Sequence, residues 1–188
     1  KKKAIEAGIA KATGELIVTT DADCRAGPEW LRSIAYTFKK SGAVFIAGPV
    51  KISRKRGALT RFQSLDFLSL QGITAASVFK GFHSMCNGAN LAYERNVFYE
   101  VDGFAGINTI ASGDDMLLMH KIYKQYPNAV SFLKSKEVIV KTQPVHSVAA
   151  FFNQRKRWAS KADKYDDKRI FAVLLVVYFF NVMMLCLP

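Results

Sequence analysis

The stretch Gly14-Glu15-Leu16-Ile17-Val18-Thr19-Thr20-Asp21-Ala22-Asp23 decides how the rest of the chain is read. Leu16 to Thr20 is short, apolar and β-branched, the pattern of a buried strand. It runs directly into two carboxylates separated by one residue. Gly27-Pro28 then opens a helix on which Leu31, Ile34, Ala35 and Phe38 recur at i, i+3, i+4 and i+7. Ser41-Gly42 breaks that helix, and Ala43 to Ala47 reads as a second buried strand. On the other side, Ala4, Ile5, Gly8 and Ile9 fall at helical spacing over residues 1–11, with Gly14 as a stop. Helix, strand, helix, strand in this order predicts an α/β fold with a parallel sheet. Asp21 and Asp23 then lie just past the carboxyl end of a strand, where open α/β sheets bind ligands.

Further along, a mostly helical stretch runs to about Phe79, and Leu91-Ala92-Tyr93 reads as a short strand. Another helix starts at Ser112-Gly113-Asp114-Asp115 and carries Leu117, Leu118 and Ile122; Glu137 to Thr142 reads as a final strand. Val148 to about Ser160 has the pattern of an amphipathic helix. No internal repeat and no long linker interrupts the chain.

With 188 residues, 50% of them hydrophobic and 22% charged, the chain can build a core, and a disordered or low-complexity class is excluded. The formal net charge of +12 calls for an anionic partner such as nucleic acid, a phosphorylated substrate or a membrane face. Cys24, Cys86 and Cys186 are isolated, which argues against a disulfide framework or a thiolate zinc site and suits a reducing compartment. Ile170 to Leu187 contains 18 residues without a charge. At about 1.5 Å per residue it is long enough to match a bilayer's hydrocarbon core, and it predicts a transmembrane helix. Seven basic residues precede it between positions 153 and 169. Such a flank stays cytoplasmic, which places the preceding part of the chain on the cytoplasmic side of an integral membrane protein.

Three groups of residues carry candidate chemistry. Asp21 and Asp23 can converge on a hard divalent cation that holds a diphosphate; a plain polar turn is the simpler alternative. Asp114 and Asp115 fit a capping box with Ser112 at the N-cap, yet a carboxylate in a helix's first turn also suits a general base, kept ionised by the helix dipole. Gln154, Arg157 and Trp158 share one helical face, where an amide, a guanidinium fork and an indole could bind a diphosphate and a sugar. Arg155, Lys156 and Lys161 read as ordinary contacts to lipid headgroups. Lys51 to Arg61 holds five basic residues and no acid and has no assigned role.

D-x-D, an acidic pair and Q-x-x-R-W, in that order, resemble the membrane-bound family 2 glycosyltransferases, which include cellulose, chitin, hyaluronan and poly-N-acetylglucosamine synthases. Gly14 to Asp23 is similar to that family's strand into its metal motif. Cys86-Asn87-Gly88-Ala89-Asn90 resembles its acceptor-side segment, and Thr142-Gln143-Pro144 its lead-in to the Q-x-x-R-W helix.

The resemblance implies a GT-A (Rossmann-like) nucleotide-sugar-binding fold lacking its N-terminal part, over residues 1–145. An interface helix with its basic flank would follow at 146–169, and a transmembrane helix at 170–188. It implies inverting transfer of a sugar from a nucleotide-sugar, expected to be a UDP-sugar, to a hydroxyl of a growing polysaccharide or a lipid. Asp21 and Asp23 would contact the diphosphate and Mg²⁺ or Mn²⁺, with Asp23 the more direct ligand. Asp115 would be the base, Gln154, Arg157 and Trp158 would line the diphosphate and acceptor channel, and Gly88, Asn90 and Asp114 would lie on the acceptor side. Membrane lipids are expected partners and nucleic acid is not. The family usually has Glu-Asp where this chain has Asp114-Asp115. The expectation is part of a longer enzyme, inactive by itself. The alternative is a membrane-anchored basic module that binds an anionic polymer or nucleic acid without catalysis.

Overall fold

In the computed structural model the described residues are 1–53, 56–81, 85–107, 113–160, 175 and 179. The quoted stretch folds as read: helix α1 (Lys2–Lys11), strand β1 (Leu16–Thr19), helix α2 (Trp30–Ser41) and strand β2 (Phe45–Ala47) follow one another. Gly42 ends α2 in the left-handed region at φ 65°, a conformation that costs a residue without Cβ little. Strand β3 (Val50–Ile52), the long helix α3 (Ala58–Phe79), strand β4 (Leu91–Glu94) and helix α4 (Arg95–Glu100) come next. Helix α5 (Asp114–Gln125), strands β5 (Val130–Phe132) and β6 (Val140–Thr142) and helix α6 (Val148–Ala159) complete the order.

The sheet corrects one expectation. It is mixed rather than parallel, with the order β1-β4-β2-β5. β4 lies antiparallel between β1 and β2, pairing Tyr93 with Ile17 on one side and with Phe45 on the other, while β2 and β5 are parallel. Leu91, Ala92 and Tyr93 are all buried, so this strand gains most at the centre of a sheet, covered on both faces. β3 and β6 form a separate parallel pair with Val50 opposite Val140 and Ile52 opposite Thr142.

Alternation along the central strands divides the core. Phe45, Ala47, Leu91 and Tyr93 point to one face and pack with Leu118, Met119 and Ile122 of α5 and with Phe98 and Phe104. Ile46 and Ala92 point to the other face and meet Ile34 of α2 and Val138. A third cluster of Val50, Ile52, Phe67 and Ala89 lies between the β3–β6 pair and α3. The period-two alternation of a sheet buried on both faces explains why the strands read as continuous apolar runs.

One expectation at a helix end also changes. Gly113, at φ 84°, is the N-cap of α5 and no side chain caps it; Ser112, expected there, lies outside the described residues. α6 is capped as a helix start should be, with the Ser147 hydroxyl accepting from the Ala150 N–H at 3.1 Å. Among the described residues no helix is long and apolar enough to cross a membrane. The 170–187 run expected to do so lies outside them apart from Leu175 and Phe179, as do residues 161–169 of its basic flank.

Candidate active site

The D-A-D loop is held by backbone on both sides. The Cys24 N–H donates to the Asp21 carbonyl at 3.0 Å, and Arg25 exchanges two 2.8 Å bonds with Lys141 in the middle of β6. These bonds bring the loop against the end of β6, where the Thr142 hydroxyl reaches Asp23 Oδ2 at 3.5 Å. Donor atoms of Asp21, Asp23 and Cys24 lie within 4.8 Å of one another. The donor set suits a hard divalent cation through the two carboxylates rather than the thiol. Burial pushes the Cys24 thiol up, against its contact with Thr142, so it stays protonated, and its Sγ donates to Asp23 Oδ1 at 3.6 Å.

The second acidic pair meets the first around one ammonium. Lys1 Nζ lies 3.0 Å from Asp21 Oδ1 and 3.8 Å from Asp114 Oδ2. Burial pulls the Lys1 pKa down, but Asp21, Asp114 and Asp115 together outweigh it and raise the value. Asp114 is buried, while Asp115 is half-buried in the first turn of α5. Asp115 Oδ2 accepts from the Gly88 N–H at 2.7 Å and Oδ1 from the Met116 N–H at 2.9 Å. A Cβ on Gly88 would stand 3.0 Å from Lys1 Nζ and 3.1 Å from Asp115 Oδ2, so glycine is what lets this backbone approach.

Despite those bonds, burial, and then the neighbouring Asp114, raise the Asp115 pKa. The helix start was expected to hold it ionised; desolvation beside a like charge prevails. A carboxylate raised in this way is the better base, since its proton affinity moves toward neutral pH.

Asn90, expected beside the acceptor, is a buried strut. Its amide donates to the Pro49 and Val138 carbonyls at 2.8 and 2.7 Å, and its oxygen accepts from Trp30 Nε1 at 3.0 Å.

Gln154, Arg157 and Trp158 all stand on α6, which packs along α3. Gln154 is half-buried, Arg157 is exposed, and the Trp158 ring leans on Phe67 with centroids 6.2 Å apart. The arginine built into this packing is Arg155, which the sequence had assigned to headgroups. Its guanidinium pairs with Asp66 of α3 and lies between the Phe151 ring at 4.5 Å and the Trp158 ring at 4.3 Å. Phe151, Arg155 and Trp158 fall at i, i+4 and i+7, a spacing that could have flagged the stack. The buried Gln63 of α3 fixes the approach to α6 by exchanging two 3.0 Å bonds with the Val145 backbone.

The family model described as "Glycosyl transferase family group 2" matches residues 16–188. A glucosyl-dolichyl phosphate glucuronosyltransferase of Haloferax volcanii is 27% identical over 143 residues, covering 70% of this chain and 44% of that protein. Among solved structures, glucosyl-3-phosphoglycerate synthase from Mycobacterium tuberculosis, in complex with phosphoglyceric acid, superposes with a TM-score of 0.48 at 13% identity. That superposition covers 81% of this chain and 49% of the other. Mannosyl-3-phosphoglycerate synthase from Rubrobacter xylanophilus gives 0.48 at 14% identity, covering 87% and 50%. The chain thus spans about half the length, or less, of these proteins.

Proposed function

The chain belongs to the glycosyl transferase family group 2, and on that premise we propose that it carries the metal and base machinery of an inverting, GT-A-type glycosyltransferase. The donor in this reading is a nucleotide-sugar, taken to be a UDP-sugar. Asp23, with Asp21, holds Mg²⁺ or Mn²⁺, which when bound neutralises charge on the leaving diphosphate. Asp115 removes the proton of the acceptor hydroxyl through a carboxylate oxygen. The oxygen so activated attacks the anomeric carbon on the face opposite the diphosphate, and the configuration inverts. Arg157 adds positive charge on the diphosphate side, with Gln154 and Trp158 lining the channel. Gly88 aims Asp115, and Asp114 raises its proton affinity. Asn90 serves this site only by holding the surrounding segments.

The observation that carries the proposal is the meeting of both acidic pairs at one ammonium, with the shifted carboxylate of Asp115 beside it. A lipid-linked acceptor is favoured over a growing polysaccharide by the name of the Haloferax relative, which contains a dolichyl phosphate. In this reading the uncharged run 170–187 anchors the protein in the membrane and the site faces the cytoplasm.

The test uses the full-length protein. Asp115→Asn is expected to bind nucleotide-sugar as the parent does and to transfer no sugar. Asp23→Ala is expected to lose the divalent-ion dependence of donor binding. Undiminished transfer by the Asp115 variant would overturn the base assignment.

A further inference from the structure

Helix α3 carries apolar residues on both of its faces. Its buried face holds Phe67 and Val78 beside Gln63, Thr74 and Ser77, and its outward stripe exposes Phe62 (56%), Leu65 (66%), Leu68 (68%) and Phe79 (84%). A helix whose outer face meets water carries polar residues there instead. Along the 22 residues of α3 the only acid is Asp66, already paired with Arg155, and the stripe is bracketed by Arg61 and Lys80. The apolar surface continues onto α6 at the Phe62 end. Phe62 meets Phe151 edge to face at 5.6 Å, Phe151 meets Phe152 at 5.9 Å, and Phe152 and Val148 are exposed. The segment leading into α3 is the basic run Lys51 to Arg61, whose five cations and absence of acids the catalytic reading leaves unused.

We propose that the outward stripe of α3, extended by Val148 and Phe152, lies against the surface of an anionic lipid bilayer, with Lys51, Arg56, Arg61 and Lys80 contacting its headgroups. An apolar face with a basic rim is what an interfacial helix presents, the side chains entering the acyl boundary while the cations stay at headgroup level. Charge selects the occupant. A second copy of this chain would bring another +12 and the same basic rim to the contact, whereas an anionic leaflet is complementary. The proposal stands on the exposed face of α3 and its charges, independently of the sugar-transfer reading.

The experiment is photolabelling of the whole chain on vesicles of phosphatidylcholine and phosphatidylglycerol that carry a diazirine on the acyl chain, with labelled peptides mapped by mass spectrometry. Label is expected on Phe62, Leu65, Leu68 or Phe79 as well as in residues 170–187. Leu65→Lys combined with Leu68→Lys, two exposed positions, is expected to remove the α3 label, keep that in 170–187 and leave the circular dichroism spectrum unchanged. Neutral phosphatidylcholine vesicles are expected to label α3 less. The proposal is overturned if only residues 170–187 are labelled, if neutral and anionic vesicles label α3 equally, or if α3 cross-links instead to residues 170–187 or to a second copy of the chain.

Discussion

Replacing Asn90 with alanine separates a structural strut from a ligand-binding group. The side chain is 1% exposed and ties together the start of α2, the turn before β3 and the segment before β6 through Trp30, Pro49 and Val138. The three partners lose unequally. The Val138 carbonyl, in a residue with no exposed surface, loses the Asn90 amide, which at about 1–3 kcal/mol is the largest single cost. The Pro49 carbonyl still accepts from the Val140 N–H at 3.1 Å, and the half-buried Trp30 indole can reach water, so each adds about 0.5–1.5 kcal/mol. Together these make Asn90→Ala cost roughly 2–6 kcal/mol, with the small void adding to it. At about 2–4 °C per kcal/mol for a chain of this size, the melting temperature should fall by roughly 4–24 °C. The assay is thermal unfolding followed by near-ultraviolet circular dichroism, paired with acceptor KM measured well below the transition. A shift under about 2 °C together with a raised acceptor KM would refute the reasoning and return Asn90 to the acceptor side.

Two other expectations bear on the site. Asp66→Asn removes the charge that holds Arg155 between its two aromatic rings. Because both partners are partly exposed, the cost is only about 1 kcal/mol, but the α6 side chains should loosen, seen as a red shift of Trp158 emission in a Trp30→Phe background. The acid limb of kcat/KM should lie above the ordinary aspartate pKa of about 3.9, because burial and then Asp114 raise Asp115 and only its ionised form can accept a proton. The sign for stability follows. The unfolded chain ionises first as pH rises, so this group's contribution to stability declines between the ordinary and the raised pKa and is level beyond it. A pH–rate profile with its acid limb at the ordinary value would contradict the burial argument.

Much of the candidate site could be read from the chain itself. D-A-D after a β-branched run, Asp114-Asp115 at a helix start and the aromatic–basic helix at 148–160 are local patterns. Periodicity and breakers act over a few residues, so α1, β1, α2, α3, α5 and α6 were all legible to within a few residues. Strands β3 and β5 and the six-residue helix α4 were not, since they are short and, unlike β2 within Ala43 to Ala47, do not stand in an uninterrupted apolar run.

What tertiary structure alone decided is everything that joins distant segments. The sequence predicted strands pointing the same way, and β1 and β2 do; only folding placed β4 antiparallel between them, because strand order is settled by which surfaces can be buried together. Only folding turned Asn90 into a strut, put Arg155 rather than Arg157 in the aromatic stack, and left Phe62, Leu65, Leu68 and Phe79 of α3 exposed. The carboxylates themselves were written in the sequence as two pairs more than ninety residues apart. Their meeting at the Lys1 ammonium is a property of the packed chain, since charge and burial act through space and local patterns do not reach that far.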